Sequence, residues 1–193
     1  MKQGTLSLNI ETFDLNELFE LLGKGRRAFE MKNQKLEIEP TTVMVKADRA
    51  LTLFMINTLA ENARKYTPEG GTIKVYARTM DAYVEISVED NGRGISEEDV
   101  ARIIGEKVYD SRVIGMKNVA DPEVLKENKG SGFGLMNCKG IIEKYKKTNE
   151  LFRGCVFDVE SELGKGSRFY FRLPSGVRKA IGVLLLCLLL PFG

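Results

Sequence analysis

Apolar residues recur every three or four positions in two long stretches of the chain, which is the spacing of amphipathic helices. The first stretch runs from Asp14 to Lys32, and Asp14 is placed to cap its N-terminus. The second runs from Arg49 to Tyr66 and is stopped by the sequence TPEGG, because proline and glycine do not continue a helix. A further helix is predicted to open within residues 130–134 and to run through Tyr145. The intervals between these helices leave room for strands.

Alternation of apolar and polar residues predicts strands in those intervals. The clearest case is residues 73–77 followed by residues 84–88, with a short turn between them, so these two strands are expected to pair antiparallel. Shorter runs predict two strands joined by a turn within Leu36–Val45, and two final strands at Cys155–Glu160 and Arg168–Leu173.

The order of helices and strands does not follow the regular alternation of a doubly wound fold. It favours an α+β sandwich, with one mostly antiparallel sheet and its helices packed on one face. Residues 101–130 are polar and interrupted by glycine and proline, and they are predicted to form a long mobile segment of the kind that often covers a site. A length of 193 residues favours a single domain.

Composition narrows the range of functions. The net charge is +2 and basic residues are interleaved with acidic ones, which argues against the long basic face that nucleic-acid binding needs. The three cysteines are far apart and include no CxxC pair, so we expect a reducing compartment, with neither a zinc site nor a disulfide framework. The chain contains no histidine, the commonest general base and metal ligand. Any chemistry must therefore use other groups.

The two ends of the chain bear on where the protein is found. Residues 1–22 lack the layout of a signal peptide, so the sequence as given is not expected to be secreted. Residues 180–190 (AIGVLLLCLLL) are almost purely aliphatic, yet shorter than the ~20 residues of a membrane-spanning helix. We interpret them either as a buried terminal helix or as a transmembrane helix cut short, with Arg178 and Lys179 on its cytoplasmic flank.

Polar residues that could bind a ligand or take part in catalysis lie on one face of the second long helix, spaced by three and four: Thr58, Glu61, Asn62, Lys65 and Tyr66. Magnesium prefers oxygen ligands, a phosphate needs a cation, and an attacking group needs a base, so this set suits a nucleotide and metal site. The alternative is that Glu61 and Lys65 form an ordinary surface ion pair.

Two glycine-containing sequences provide further candidate binding elements. The first, DNGRG at Asp90–Gly94, follows a predicted strand, where a carboxylate can accept from an exocyclic amine and glycines allow close approach of a planar ring. The second, GSGFGL at Gly130–Leu135, stands at a helix start, where free N–H groups bind phosphates. Alternatively, the first is a simple turn and the second a common glycine loop. Neither has the spacing of a P-loop or a Rossmann site.

Taken in order, ENARKYTPEGG, VEDNGRGI and GSGFGL resemble the three nucleotide-binding boxes of the GHKL ATPase superfamily, which includes histidine kinases, gyrase-type enzymes, Hsp90 chaperones and MutL proteins. The sequence KYTP and the final ESELGKGSRFYFRLP look like the histidine kinase branch. The resemblance covers Leu8 to Pro174. It implies a two-layer Bergerat-type ATP-binding fold for residues 1–174, followed by a basic linker and apolar segment at 175–193.

The resemblance also implies roles for single residues. Asn62 would bind Mg²⁺, Lys65 would contact phosphate, and Tyr66 would lie near the nucleotide. Asp90 would accept from the adenine amino group. Gly92, Gly94 and Ile95 would shape the adenine pocket. The phosphate-side lip and the start of the next helix would be formed by Gly130, Gly132, Gly134 and Leu135. Residues 102–129 would be the ATP lid.

The sequence departs from the family pattern in places. Thr58 stands where the family commonly has Asn or Glu, with Asn57 beside it, so Glu61 is the substitute candidate for the catalytic base. Residues 108–111 (VYDS) replace the usual phenylalanine-rich box before the lid, which bears on coupling to the phosphoacceptor domain. No histidine is present to receive a phosphoryl group.

These features predict the catalytic domain of a sensor histidine kinase, which binds ATP and Mg²⁺ and transfers the γ-phosphoryl to a histidine on a separate dimerisation domain upstream. The expected partners are that domain and a downstream response regulator. The expected location is the cytoplasmic side of a bacterial membrane, to which the parent protein is anchored. The alternatives are a regulatory pseudokinase that binds ATP, a non-kinase GHKL ATPase acting as a clamp, and a purely structural α+β domain.

Overall fold

The computed structural model describes residues 7–105 and 133–176. Five α-helices and seven strands lie in this part of the chain. The helices are α1 (Leu15–Gly23), α2 (Arg26–Glu30), α3 (Arg49–Tyr66), α4 (Glu97–Gly105) and α5 (Phe133–Thr148). The strands are β1 (Ile10–Asp14), β2 (Lys35–Ile38), β3 (Met44–Asp48), β4 (Thr72–Met80), β5 (Tyr83–Asp90), β6 (Phe157–Glu162) and β7 (Gly166–Pro174).

The main sheet has five strands in the order β2-β4-β5-β7-β6. Strand β2 pairs parallel with β4, and the other neighbours pair antiparallel. Strands β1 and β3 form a separate antiparallel pair, with Ile10 opposite Asp48 and Asp14 opposite Met44. The α+β class and the mostly antiparallel sheet are therefore confirmed.

The alternating pattern of the strands gives the main sheet one apolar and one polar face. Val84, Ile86 and Val88 of β5 are buried on the apolar face, together with the inward residues of α3 and α5 in a single core. On the opposite face, Arg168 and Arg172 both bond the carboxylate of Glu85, at 2.8 and 2.9 Å. In the described ranges, the helices thus share their core with one face of the sheet, as predicted.

The second long helix has the predicted limits. The side chain of Asp48 caps α3 by accepting from the backbone N–H of Leu51 at 3.0 Å. The helix ends at Tyr66, where Thr67 is already extended. Seven residues of α3 are buried, so its apolar stripe holds it against the sheet: Leu51, Thr52, Met55, Ile56, Leu59, Ala60 and Ala63.

The start of the first predicted helix is correct, but the structure has two helices, α1 and α2, where one was predicted. Asp14 caps α1 by accepting from the backbone N–H of Asn16 at 2.9 Å. The helix ends at Gly23, and α2 begins only after Gly25, because the sequence GKG lacks the side chains that favour a helix. Strand β1, directly before α1, was not predicted.

The region 36–45 contains the two predicted strands, but they do not pair with each other. Strand β2 joins the main sheet beside β4, whereas β3 pairs with β1. The long mobile segment predicted from residue 101 is wrong for residues 101–105, which belong to α4. The backbone N–H of Asp99 bonds the hydroxyl of Ser96 at 3.2 Å in the first turn of this helix.

Several predictions lie outside the described residues. They are the rest of the proposed lid, Gly130 and Gly132, and the apolar segment at 180–190. The division of the chain after residue 174 stays a prediction. Among the described residues, no helix is both long and apolar enough to cross a membrane.

Candidate functional site

The polar end of β5 meets the C-terminal end of α3. A Cβ atom on Gly92 would lie 3.0 Å from the carbonyl oxygen of Tyr66 and 3.3 Å from the Cα of Thr67. The loop after β5 therefore lies close to backbone atoms of the helix end, and a side chain in place of Gly92 would crowd them. The structure thus brings together two of the three sequence elements that were singled out, DNGRG and KYTP.

Asp90 ends β5 on the apolar face of the sheet and is only 9% exposed. Its Oδ1 accepts from the backbone N–H of Gly92 at 2.9 Å. Burial raises the pKa of this carboxyl group, while backbone hydrogen bonds from Gly92 and Ser167 act to lower it. A carboxylate fixed in this way retains acceptor capacity for a donor on a planar ligand.

Gly94 fixes the far side of the same loop. It has a φ of 71°, and a Cβ there would collide with the carbonyl oxygen of Glu162 in β6. The backbone N–H of Ile95 bonds the hydroxyl of Ser161 at 2.7 Å, and the Ile95 side chain packs on the core. The DNGRG loop is thus held between the end of α3 and the β6–β7 hairpin.

Ser161 and Ser167 were missed by the sequence reasoning. Their hydroxyl oxygens lie 2.8 Å apart, and Ser167 stands opposite Asp90 in the β5–β7 pairing. The available signal was the position of Ser167, between a glycine and the start of the last predicted strand at Arg168. Its partner on β5 is visible only in the tertiary structure.

Tyr66 lies at the rim of the site, with 42% of its surface exposed. The Lys65 ammonium lies 5.3 Å from the centroid of its ring, and the Arg93 guanidinium lies 5.1 Å from it. Both distances are within the range of cation–π interactions. Arg93 is a third residue that the sequence reasoning missed, although it stands inside the DNGRG sequence.

The start of α5 approaches the middle of α3. A Cβ on Gly134 would lie 2.8 Å from the methyl group of Thr58, so the two helices are in close contact at this point. Burial raises the pKa of the neighbouring Cys138 thiol to about 12, although a hydrogen bond with Thr58 opposes the shift. Leu135 is half-buried and packs on the core. The described part of the GSGFGL element thus faces the helix that carries the polar set.

Asn62 and Glu61 differ in their surroundings. Asn62 is half-buried, one helical turn after Thr58. The Glu61 side chain is 51% exposed and pairs with Arg64 at 2.8 Å. The surface pair considered for Glu61 was with Lys65, whereas the ion pair in the structure is with Arg64. Within residues 7–105 and 133–176, no cluster of three or more acidic, cysteine or histidine side chains is arranged to hold a metal ion.

Comparison with known proteins identifies the family of the chain. A family model described as "Histidine kinase-, DNA gyrase B-, and HSP90-like ATPase" matches residues 47–177, more than half of the chain.

The chain belongs to this ATPase family.

Curated relatives place the domain among histidine kinases. It is 32% identical over 164 residues to the alginate biosynthesis sensor protein KinB of Pseudomonas aeruginosa. This alignment covers 82% of this chain and 24% of KinB. The chain spans about a quarter of the length of the curated relatives it matches, 24% and 29% for the first two. The domain is thus an ATP-binding catalytic domain of the histidine kinase type.

Solved structures share the fold. Full-length ShkA in complex with AMPPNP aligns with a TM-score of 0.67 at 21% identity, covering 92% of this chain and 33% of that one. The histidine kinase ThkA in complex with the response regulator protein TrrA aligns with a TM-score of 0.56 at 24% identity, covering 86% of this chain and 42% of that one.

Proposed function

We propose that this domain binds Mg-ATP and donates the γ-phosphoryl group to a histidine on a separate dimerisation domain. The observation that carries the proposal is the buried Asp90, held at the end of β5 by Gly92 where the loop meets the end of α3. Its raised pKa marks a carboxylate set apart from solvent, where a hydrogen bond from the adenine amino group is strong.

The adenine is proposed to lie against Asp90, in a pocket shaped by Gly92, Gly94 and Ile95. Tyr66 is proposed to lie beside the nucleotide, because its ring is exposed at the rim of this pocket. The two cations beside that ring, Lys65 and Arg93, offset the negative charge of a nucleotide.

The phosphates are proposed to lie between the middle of α3 and the start of α5. Lys65 would contact phosphate, and the free N–H groups of a helix start suit phosphate oxygens. The residues proposed for this phosphate-side lip are Gly130, Gly132, Gly134 and Leu135. The contact between Gly134 and Thr58 supports the arrangement, since it sets the two helices side by side.

Asn62 is proposed as the magnesium ligand. Magnesium is commonly held by one or two protein oxygens together with phosphates and water, so a half-buried amide oxygen on the phosphate side suits the ion. When bound, magnesium would neutralise charge on the phosphates. The protein's contribution is to hold the amide oxygen of Asn62 in place on α3.

Glu61 is proposed as the catalytic base. Its exposed carboxylate is accessible to a histidine that approaches from outside the domain, and Arg64 is its partner until then. The proposed partners are the dimerisation domain and a response regulator, and the ThkA–TrrA complex supports the second. The proposed location is the cytoplasmic side of a membrane that anchors the parent protein.

The decisive experiment is calorimetric titration of ADP and AMPPNP into the wild type and Asp90→Ala, with and without Mg²⁺. We expect binding that depends on Mg²⁺ for AMPPNP, and a loss of about 10- to 100-fold in affinity for Asp90→Ala, because a hydrogen bond to a charged group is removed. Glu89→Gln is the matched control, since Glu89 is the neighbouring carboxylate on the other face of the sheet.

Folding of each variant is checked by circular dichroism. Absence of binding by the folded wild type would refute the proposal. Binding without any dependence on Mg²⁺ would favour a regulatory ATP-binding module over a kinase.

A further inference from the structure

The C-terminal end of α3 is held by a turn that is distant in sequence. Residues 31–35, from the end of α2 to the first residue of β2, form this turn, which we name the capping turn. Asn33 adopts a φ of 52° within it, and its carbonyl oxygen accepts from the backbone N–H of Gly70 at 2.8 Å. The backbone N–H of Lys35 donates to the carbonyl oxygen of Gly71 at 2.9 Å. The capping turn is thus joined to the TPEGG loop by two backbone hydrogen bonds.

Two side chains of the capping turn satisfy the last carbonyl groups of α3. The Lys32 ammonium donates to the carbonyl oxygens of Arg64 and Lys65, at 2.7 and 3.1 Å. The Gln34 amide donates to the carbonyl oxygens of Arg64 and Thr67, at 2.9 and 2.6 Å. A helix leaves its last carbonyl groups without intrahelical partners, and cations near them interact favourably with the helix dipole.

The carbonyl groups held in this way flank Tyr66 at the rim of the proposed nucleotide site, since they belong to Arg64, Lys65 and Thr67. Lys65 and Tyr66 belong to the last turn of α3, and a Cβ atom on Gly92 would lie 3.0 Å from the carbonyl oxygen of Tyr66. The capping turn and the DNGRG loop therefore contact the same helix end from two sides. Displacement of this end would change the distance from Tyr66 to Gly92, and with it the pocket at Asp90.

Gln34 is buried against the end of α3, and its hydrogen bonds are made there. Only 5% of it is exposed, and its amide nitrogen serves both carbonyl groups while its Oε1 has no hydrogen-bond partner among the described residues. A buried amide that leaves its oxygen unsatisfied costs stability, which is offset here by two bonds to the helix end. Such an arrangement fixes the helix end in one position.

We propose that Lys32 and Gln34 are positioning residues for nucleotide binding, acting through the carbonyl end of α3 on Lys65, Tyr66 and the adenine pocket. The inference rests on the proposed function of the site. Neither side chain is expected to touch the nucleotide.

The test compares two lysines of the capping turn. Lys32→Met keeps the apolar stem of the side chain and removes its donors, whereas Lys35→Met removes the same charge from a side chain that is 72% exposed and pairs with Glu37. The dissociation constant of Mg-AMPPNP is measured well below the unfolding midpoint of each variant. Under these conditions every molecule is folded, so a loss of global stability alone leaves the dissociation constant unchanged.

We expect Lys32→Met to weaken Mg-AMPPNP binding roughly three- to tenfold, in line with the loss of a charged cap. Lys35→Met is expected to bind as the wild type, and Lys32→Arg to restore binding because it keeps a charged donor. Gln34→Met is the second variant, which tests the other half of the cap if Lys32→Met does not fold.

The inference is overturned if folded Lys32→Met or Gln34→Met binds as tightly as the wild type, since the cap is then purely structural. It is also overturned if Lys35→Met loses as much affinity, since charge alone then explains the effect. If the wild type binds no nucleotide, the proposed function fails instead, and the two failures are distinguished.

Discussion

The two ends of the proposed nucleotide site are built in different ways. The proposed adenine side consists of Asp90–Ile95 together with the end of α3, and its two glycines, Gly92 and Gly94, lie against backbone atoms of the helix end and of the β6–β7 hairpin. The phosphate side consists of Thr58, Asn62 and the start of α5, and its described contact is between a side-chain methyl and a helix backbone. Backbone contacts leave no room for adjustment, whereas a side chain can rotate or shift.

This difference predicts how each end responds to substitutions. We expect added atoms on the adenine side to lower the free energy of unfolding, because that side is preorganised. On the phosphate side we expect substitutions to change the free energy of unfolding little, while they can still change the rate of phosphoryl transfer. Glycine marks both ends, but for different reasons: a positive φ and a backbone contact at Gly94, and the approach of one side chain at Gly134.

The largest expected effect is that of Gly94→Ala. The new Cβ meets the carbonyl oxygen of Glu162 and the φ of 71° disfavours alanine, so we expect a loss of about 3 kcal/mol or more in the free energy of unfolding. The control is Gly164→Ala, because Gly164 has a φ of 81° with no atom within 4 Å of its Cβ position.

We expect Gly164→Ala to cost about 1 kcal/mol, from backbone strain alone. Urea denaturation of both variants measures the difference. An equal loss in the two would show that the contact with Glu162 adds nothing, and that the adenine side is not as closely packed as its geometry indicates.

Glu61→Gln tests the chemistry of the phosphate side. If Glu61 is the base, the rate of phosphoryl transfer to a histidine-containing dimerisation domain supplied in trans falls about 10- to 100-fold, while the affinity for Mg-AMPPNP stays that of the wild type. Single-turnover transfer of labelled phosphate and calorimetry measure the two quantities.

Arg64→Ala is the matched control, since it frees the Glu61 carboxylate from its partner at 2.8 Å without removing it. We expect its transfer rate to be no lower than that of the wild type. A transfer rate of Glu61→Gln equal to that of the wild type would remove Glu61 from the mechanism.

The smallest effect is expected for Gly134→Ala. Alanine favours a helix by up to ~1 kcal/mol over glycine, and the methyl group of Thr58 at 2.8 Å opposes this gain, so the free energy of unfolding should change by less than about 1 kcal/mol. In the Thr58→Ser background the methyl group is absent, and the same substitution should be stabilising. A double-mutant cycle gives the coupling between the two positions. A large loss in both backgrounds would mean that the phosphate side is as rigid as the adenine side.

Local patterns predicted much of the fold and one side of the site. The limits of α3, the Asp14 cap and the β4–β5 hairpin depend on residues close in sequence, and each is present as expected. Asp90 and Gly92 were singled out because a carboxylate and a glycine at a strand end have a chemical use whatever surrounds them. In the structure, Gly92 lies against the end of α3, the helix that carries the polar set.

Other features had no local signal of this kind. Strand β1 is defined by its pairing with β3, and the parallel pairing of β2 with β4 joins segments separated by a whole helix. Helix α4 was not predicted, and its last residues were assigned to the mobile segment, because its first turn is acidic and its apolar positions are few. Ser167, Ser161 and Arg93 acquire a role only through neighbours on other elements.

Residue types and short spacings were enough to predict the family, the order of the three motifs and the chemical groups that each motif presents. The tertiary structure alone decided that Lys32 and Gln34 hold the end of α3, that Ser167 faces Asp90, and that Gly94 meets the β6–β7 hairpin. The physical reason is distance along the chain. The free energy of such contacts comes from the packing of the whole core, which brings together residues that no local pattern connects.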